Sequence, residues 1–151
     1  MTDVVGSRGE QLFYIAATDY KEFAHPLFRP YFLGEKCPDV DFLVNLWGAK
    51  GVFFVQVKAT ANPLSATSIE VRLSQTRRLR LGELPGPTYL VGVHEPSKRC
   101  FIRSIDLSPQ TGVASIPLAY ELNAANLRAL FDEVKDFWAT TKYKPQHSAF
   151  A

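Results

Sequence analysis

The feature that most constrains this chain is the stretch from Pro38 to Lys58. Asp41-Phe42-Leu43-Val44-Asn45-Leu46-Trp47 and Val52-Phe53-Phe54-Val55-Gln56-Val57-Lys58 are rich in apolar, β-branched and aromatic residues, and Gly48-Ala49-Lys50-Gly51 separates them. Two such runs around a short Gly-bounded turn predict a β-hairpin. With a symmetric four-residue turn, Trp47 pairs with Val52, Leu43 falls opposite Gln56, and Asp41 falls opposite Lys58. Opposed residues share a face of a sheet, as do residues two apart. Asp41, Gln56 and Lys58 are therefore expected together on one face, at the open end of the hairpin. The simplest use of an acid opposite a base there is a cross-strand ion pair, worth less than about 1 kcal/mol when exposed.

The rest of the chain supplies a frame around that hairpin. At 151 residues, 46% hydrophobic and 21% charged, it has the length and composition of one soluble domain with a single sizeable core. Its core is expected over residues 7–138, with a frayed tail over residues 142–151. No apolar run approaches the roughly 18 to 20 residues of a membrane span. Met1-Thr2-Asp3-Val4-Val5 lacks the basic and apolar regions of a signal peptide, so a cytoplasmic location is the expectation. Cys37 and Cys100 are too few and too far apart in sequence for a zinc motif, and reduced thiols are expected. A net charge of +2 neither requires nor excludes a nucleic-acid partner, because local patches decide.

Ser7-Arg8-Gly9-Glu10 has capping-box spacing and predicts a helix beginning near Ser7. Leu12, Phe13, Ile15, Ala16, Tyr20 and Phe23 would give that helix its apolar face, with Glu10 at the edge. His25 to Phe32 is bounded by prolines and reads as a loop or a short first strand. Ser68 to Leu73 alternates as a strand, and Ser74 caps a helix running towards Leu84. Thr88 to His94 and Arg99 to Ser104 form a second hairpin, and His94 at a strand end is expected to be a hydrogen-bonded structural histidine. Asp106 to Tyr120 reads as loop with one short strand. From Asn123, Leu127, Leu130, Phe131, Val134, Phe137 and Trp138 mark a final amphipathic helix. Arg72, Arg77, Arg78 and Arg80 are the densest basic cluster. They form either a solvated face or a set of phosphate contacts.

Gly9-Glu10 in a first helix, Asp41 starting a strand and Gln56-Val57-Lys58 ending the next resemble the restriction-endonuclease-like PD-(D/E)xK superfamily. The Gln56-x-Lys58 form resembles the Mrr-type restriction endonucleases, together with small uncharacterised bacterial domains of that superfamily. The resemblance implies an α/β (α+β) fold, a mixed central sheet flanked by helices. It implies a metal-dependent nuclease cleaving phosphodiester bonds, in DNA more than in RNA, in a defence or mobile-element setting. Asp41, Gln56 and Glu10 would hold Mg²⁺ or Mn²⁺, Lys58 would act on the attacking water or the phosphorus, and Asp39 would be an auxiliary acid. Arg72, Arg77, Arg78 and Arg80 would contact the nucleic acid, and a homodimer is compatible with the pattern. The alternative is an inactive nuclease-fold module that binds nucleic acid or protein.

Overall fold

The computed structural model describes residues 2–106, 112–142, 144 and 147–150. The expectation of a loop across Asp106–Tyr120 falls outside the described residues at 107–111. That of a frayed tail falls outside them at 143, 145, 146 and 151.

The chain opens with helix α1 (Thr2–Ala17), followed by strands β1 (Phe28–Phe32), β2 (Phe42–Leu46) and β3 (Val52–Thr60). Then come β4 (Ser68–Leu73), α2 (Gln75–Gly82), β5 (Thr88–His94), β6 (Arg99–Ile105), β7 (Val113–Pro117) and α3 (Ala124–Thr140). Five strands make one sheet in the order β1-β2-β3-β5-β6, and β4 pairs with β7 in a separate two-stranded ribbon. Neighbours in the five-stranded sheet are antiparallel except β3 and β5, which run parallel. Parallel neighbours need a long crossover, and β4 with α2 supplies it. The fold is therefore a mixed-sheet α+β architecture.

Strand alternation gives the sheet two apolar faces. Phe53, Val55 and Val57 of β3 join Phe28, Phe42, Val44, Tyr89 and Val91 against α1 and α3. Phe28 and Tyr89 meet Phe53 edge-on at centroid distances of 5.4 and 5.5 Å, a favoured geometry for aromatic pairs. On the other face Leu90 and Phe101 pack with Ile69, Val71, Leu73 and Ile116 of the ribbon and Leu81 of α2. All seven residues of β5 are buried, as a strand covered on both faces requires. Ser74 and Asn123 cap α2 and α3, each accepting a backbone N–H three residues on.

The first helix starts earlier and stops earlier than its sequence suggests. It begins at Thr2, so Ser7 and Glu10 lie inside it and no capping box forms, and it ends at Ala17, short of Tyr20 and Phe23. Ser-x-x-Glu marks a helix start only where the backbone N–H groups at Ser7 lack partners a turn earlier. Here the preceding turn is already helical. Phe13 turns inward as its spacing suggests, joined by Gly9 and Ala17, while Ile15 faces solvent.

The hairpin register also differs from the symmetric expectation. Phe42 pairs with Val55 and Asn45 with Val52, which brings Asp41 level with Gln56 instead of Lys58. The turn takes in more residues: the Leu46 N–H donates to the Gly51 carbonyl at 3.1 Å, and the Trp47 N–H turns away to Leu27 O at 2.9 Å. Gly48 and Gly51, at φ 71° and 150°, carry backbone conformations that side chains disfavour. The displacement is two residues, and only an odd slip changes faces. Asp41, Gln56 and Lys58 consequently keep their common face.

Candidate functional site at the end of the central strand

β2 stops while β3 continues, and this mismatch makes the site. The Asp41 N–H still donates to Val55 O at 3.0 Å and its carbonyl still accepts the Leu33 N–H from the β1 side at 2.8 Å, but the residues before it turn out of the sheet, the Val40 N–H donating to Cys37 O at 3.4 Å. The next β3 donor on that side, the Val57 N–H, would lack a ladder partner. The Asp41 carboxylate takes it, accepting at Oδ2 over 2.7 Å. Asp41 is thereby held in the line of the strand edge, with its second carboxylate oxygen making no hydrogen bond among the described residues.

Gln56 and Lys58 rise from the same strand on the face away from α1. Gln56 is 5% exposed. Its amide nitrogen reaches only the Val57 carbonyl, at 3.5 Å, and its Oε1 is buried without a hydrogen-bond partner among the described residues. An orphaned acceptor of this kind costs about 1 to 3 kcal/mol. Lys58 is half-buried, and its ammonium forms no ion pair with Asp41 or any other described acid. The plain cross-strand ion pair is therefore absent among the described residues.

Glu10 reaches the same carboxylate from the opposite side. Gly9 lies against Val57 and Ala59, so close that a Cβ there would stand 2.7 Å from the Ala59 Cβ. Glycine lets α1 press onto the end of β3, and the next residue, Glu10, comes beside Asp41. The site thus draws on both sides of the strand: Glu10 comes from α1, and on the other face Asp41, with one carboxylate oxygen turned into the strand edge, stands beside Gln56 and Lys58.

All three ionisable groups are pushed towards their neutral forms. Burial raises the Asp41 carboxyl above its ordinary range, against the opposing pull of the Val57 N–H and the Lys58 and Arg77 charges. Burial also raises Glu10, and the Asp41 charge adds to it. The Lys58 ammonium is lowered by burial first and by the Arg77 charge second, while Asp41 acts the other way. Partly desolvated groups of both signs, gathered at one strand end, mark a candidate functional site.

The four arginines of the basic cluster do not act as one surface. Arg77, on α2, lies near enough to bear on both Asp41 and Lys58, and its guanidinium donates to Pro38 O at 3.3 Å. Arg80 pairs with Asp39 at 3.7 Å, which ties the expected auxiliary acid to α2. Arg72 is open to solvent beside Glu70, at 3.4 Å. Arg78 is 14% exposed at the side chain and pairs with Asp106, a tether for α2 more than a free surface charge.

A cavity of about 290 Å³ opens beside Lys58, lined also by Thr60, Asn62, Glu70 and Arg72. Thr60, the last residue of β3, and Asn62 just beyond it carry no signal in the sequence. Other candidates are structural. His94 shares a 2.6 Å hydrogen bond with Ser97, and burial pushes the Cys100 thiol up to about 12, leaving it protonated and inert.

Among the described residues, no three of His, Cys, Asp and Glu gather in a way that could hold a metal ion. The oxygen donors at the strand end are two carboxylates and one amide. Comparison with protein-family models, curated proteins and solved structures returns no match.

Proposed function

We propose that this chain is a metal-dependent phosphodiesterase acting on nucleic acid, DNA in the first instance, with its centre at Asp41, Gln56, Lys58 and Glu10. The observation that carries the reading is the end of β3, where Asp41, the orphaned amide oxygen of Gln56 and an unpaired, half-buried Lys58 share one face.

The donor set fits a hard divalent cation. Asp41 and Glu10 offer carboxylate oxygens, and Gln56 offers an amide oxygen that no protein donor satisfies. Mg²⁺ or Mn²⁺ takes oxygens of this kind. Such an ion would neutralise charge on a phosphoryl group and lower the pKa of water. With only two carboxylates, its affinity should be modest.

The protein's own groups have separate tasks. The unengaged oxygen of Asp41 can accept a hydrogen bond from an attacking water, while Oδ2 stays anchored on the Val57 N–H and keeps the carboxylate from swinging away. Lys58 places a poorly solvated ammonium where it can donate to a phosphoryl oxygen as negative charge builds there. Arg77 adds positive charge from α2, and Arg72 with the small cavity beside Lys58 gives a flanking nucleotide a polar wall. A defence or mobile-element setting follows from the resemblance alone.

The competing reading is a nuclease-like module that binds without cutting, and the anchoring of Asp41 on a strand N–H favours it, since capping a ladder is a sufficient structural task. Both are tested with a panel of DNA and RNA substrates incubated with Mg²⁺, Mn²⁺ or EDTA, using Lys58→Ala as the control. Metal-dependent cleavage lost in Lys58→Ala supports the phosphodiesterase. Binding in EDTA with no cleavage in either metal leaves the module.

A further inference from the structure

A larger cavity, of about 840 Å³, lies at the other end of the β2–β3 hairpin, around its turn. Its walls include Leu46, Trp47, Val52 and Trp138, and its charged lining residues are Arg29, Lys50 and Lys144, with no acid among them. We propose that this cavity binds a nucleotide, a planar base carrying a phosphate, either free or within a single strand.

Three observations point to that ligand. First, the volume suits a small molecule and the lining is aromatic and aliphatic, which a bare inorganic anion would not use. Second, the cations are prepared for a phosphate. The Arg29 guanidinium carbon lies 3.8 Å from the centroid of the Trp47 ring, so contact with the indole holds the group in place, and it pairs with no carboxylate among the described residues. A guanidinium held in place and left without a carboxylate is suited to bidentate phosphate binding. Lys50 and Lys144 likewise have no acidic partner among the described residues. Third, Asn45 is the direct cross-strand partner of Arg29 and shares its face. Its side-chain amide has no hydrogen bond among the described residues and can meet the polar edge of a base.

The wall is firm enough to select shape. The Trp138 indole N–H donates to Val52 O at 2.7 Å, and its ring crowds Gly51 so closely that a Cβ there would stand 2.9 Å away. The inference is independent of the phosphodiesterase reading, because none of these residues belongs to the Asp41 centre.

The chain has two tryptophans, and both line this cavity, so intrinsic tryptophan fluorescence reports on it directly. The titrants are deoxyadenosine monophosphate, deoxyadenosine, inorganic phosphate and a short single-stranded oligodeoxyadenylate, all in EDTA. A saturable change with the monophosphate or the oligonucleotide is expected, with deoxyadenosine and phosphate at least about tenfold weaker, since each lacks half of the recognised group. Tighter binding of the oligonucleotide assigns the source to a strand, and equal binding assigns it to free nucleotide. Arg29→Ala/Lys50→Ala should weaken binding at least about tenfold. Both residues are exposed, so the fold should survive, and Arg29→Ala/Lys50→Arg should recover part of the loss. No saturable change, an equal response to deoxyadenosine or to phosphate, or an unaltered double variant would overturn the proposal.

Discussion

The two ends of the β2–β3 hairpin carry charge in opposite ways. At the open end, Asp41, Glu10 and Lys58 are partly buried, both signs are present, and each group is driven towards neutrality. At the turn end the cations are exposed, only one sign is present, and aromatic rings supply the walls. Desolvated charges of mixed sign are costly to hold and respond strongly to an incoming ion or proton. Solvated charges of one sign cost little and attract a ligand without reacting with it. If both proposals hold, one hairpin would separate chemistry at its buried, mixed-sign end from capture at its exposed, single-sign end.

The largest expected effect breaks the comparison outright if it fails. Asp41→Ala and Lys58→Ala should each lower Mg²⁺-dependent cleavage by at least about a hundredfold, the scale of losing one group that acts on developing charge. Far-UV circular dichroism should show the sheet unchanged. Full cleavage in either variant would reduce the open end to a strand cap.

Gln56 sharpens the comparison from the stability side. In Gln56→Leu the orphaned acceptor disappears, and the fold should gain about 1 to 3 kcal/mol in urea unfolding while cleavage is lost. Gln56→Glu places a carboxylate in the same buried position. It should be less stable than wild type in EDTA and recover when Mn²⁺ is added. A Gln56→Leu protein that is less stable would show that the amide serves packing alone. A smaller effect is expected at Gly9→Ala. The added methyl meets Ala59 and must push α1 outward, costing about 1 to 3 kcal/mol, of which better helix propensity returns up to about 1. Because Glu10 rides on that helix, metal affinity should fall as well, read by calorimetric titration with Mn²⁺.

How much of this was legible beforehand depends on which forces set each feature. Strands β4 to β6, the Ser74 cap and the stripe of α3 follow from local pattern and appear where the residues place them, whereas β3 runs two residues past its expected end at Lys58, to Thr60. The common face of Asp41, Gln56 and Lys58 also follows, because parity survives an even shift. The register itself did not follow. It depends on Trp47 preferring Leu27 and Arg29 to its symmetric partner, a tertiary contact that no window around the turn contains. The start of α1 was misplaced because Ser7 and Glu10 mimic a cap inside a continuous helix. The division of the arginines was hidden for a similar reason. Arg77 and Arg78 are adjacent in sequence, yet helix rotation sends one towards Lys58 and the other towards Asp106. The turn-end cavity needed Trp138, more than eighty residues from Val52 in sequence, to close its wall.

The smallest effect tests the burial of charge itself. Asp41 and Glu10 have folded-state pKa values raised above their ordinary range, so the folded chain holds their protons longer than the unfolded chain does. Their contribution to stability is complete below the ordinary carboxylate range and is lost as pH rises through the raised values. Lys58 has the opposite sign. Its folded value is lowered, so its contribution is present above the ordinary lysine range and is lost as pH falls through the lowered value. Near neutrality all three groups are least favourably placed. Urea midpoints measured from acid to neutral pH should therefore fall more steeply for wild type than for Asp41→Asn, whose amide oxygen can still accept the Val57 N–H. Towards alkaline pH, wild type should gain stability relative to Lys58→Met. Saturating Mg²⁺ should flatten the acid limb, because an ion bound to the ionised carboxylates removes their preference for protons. Parallel profiles for wild type and Asp41→Asn would mean that the open end is as well solvated as the turn, and the contrast between the two ends would be gone.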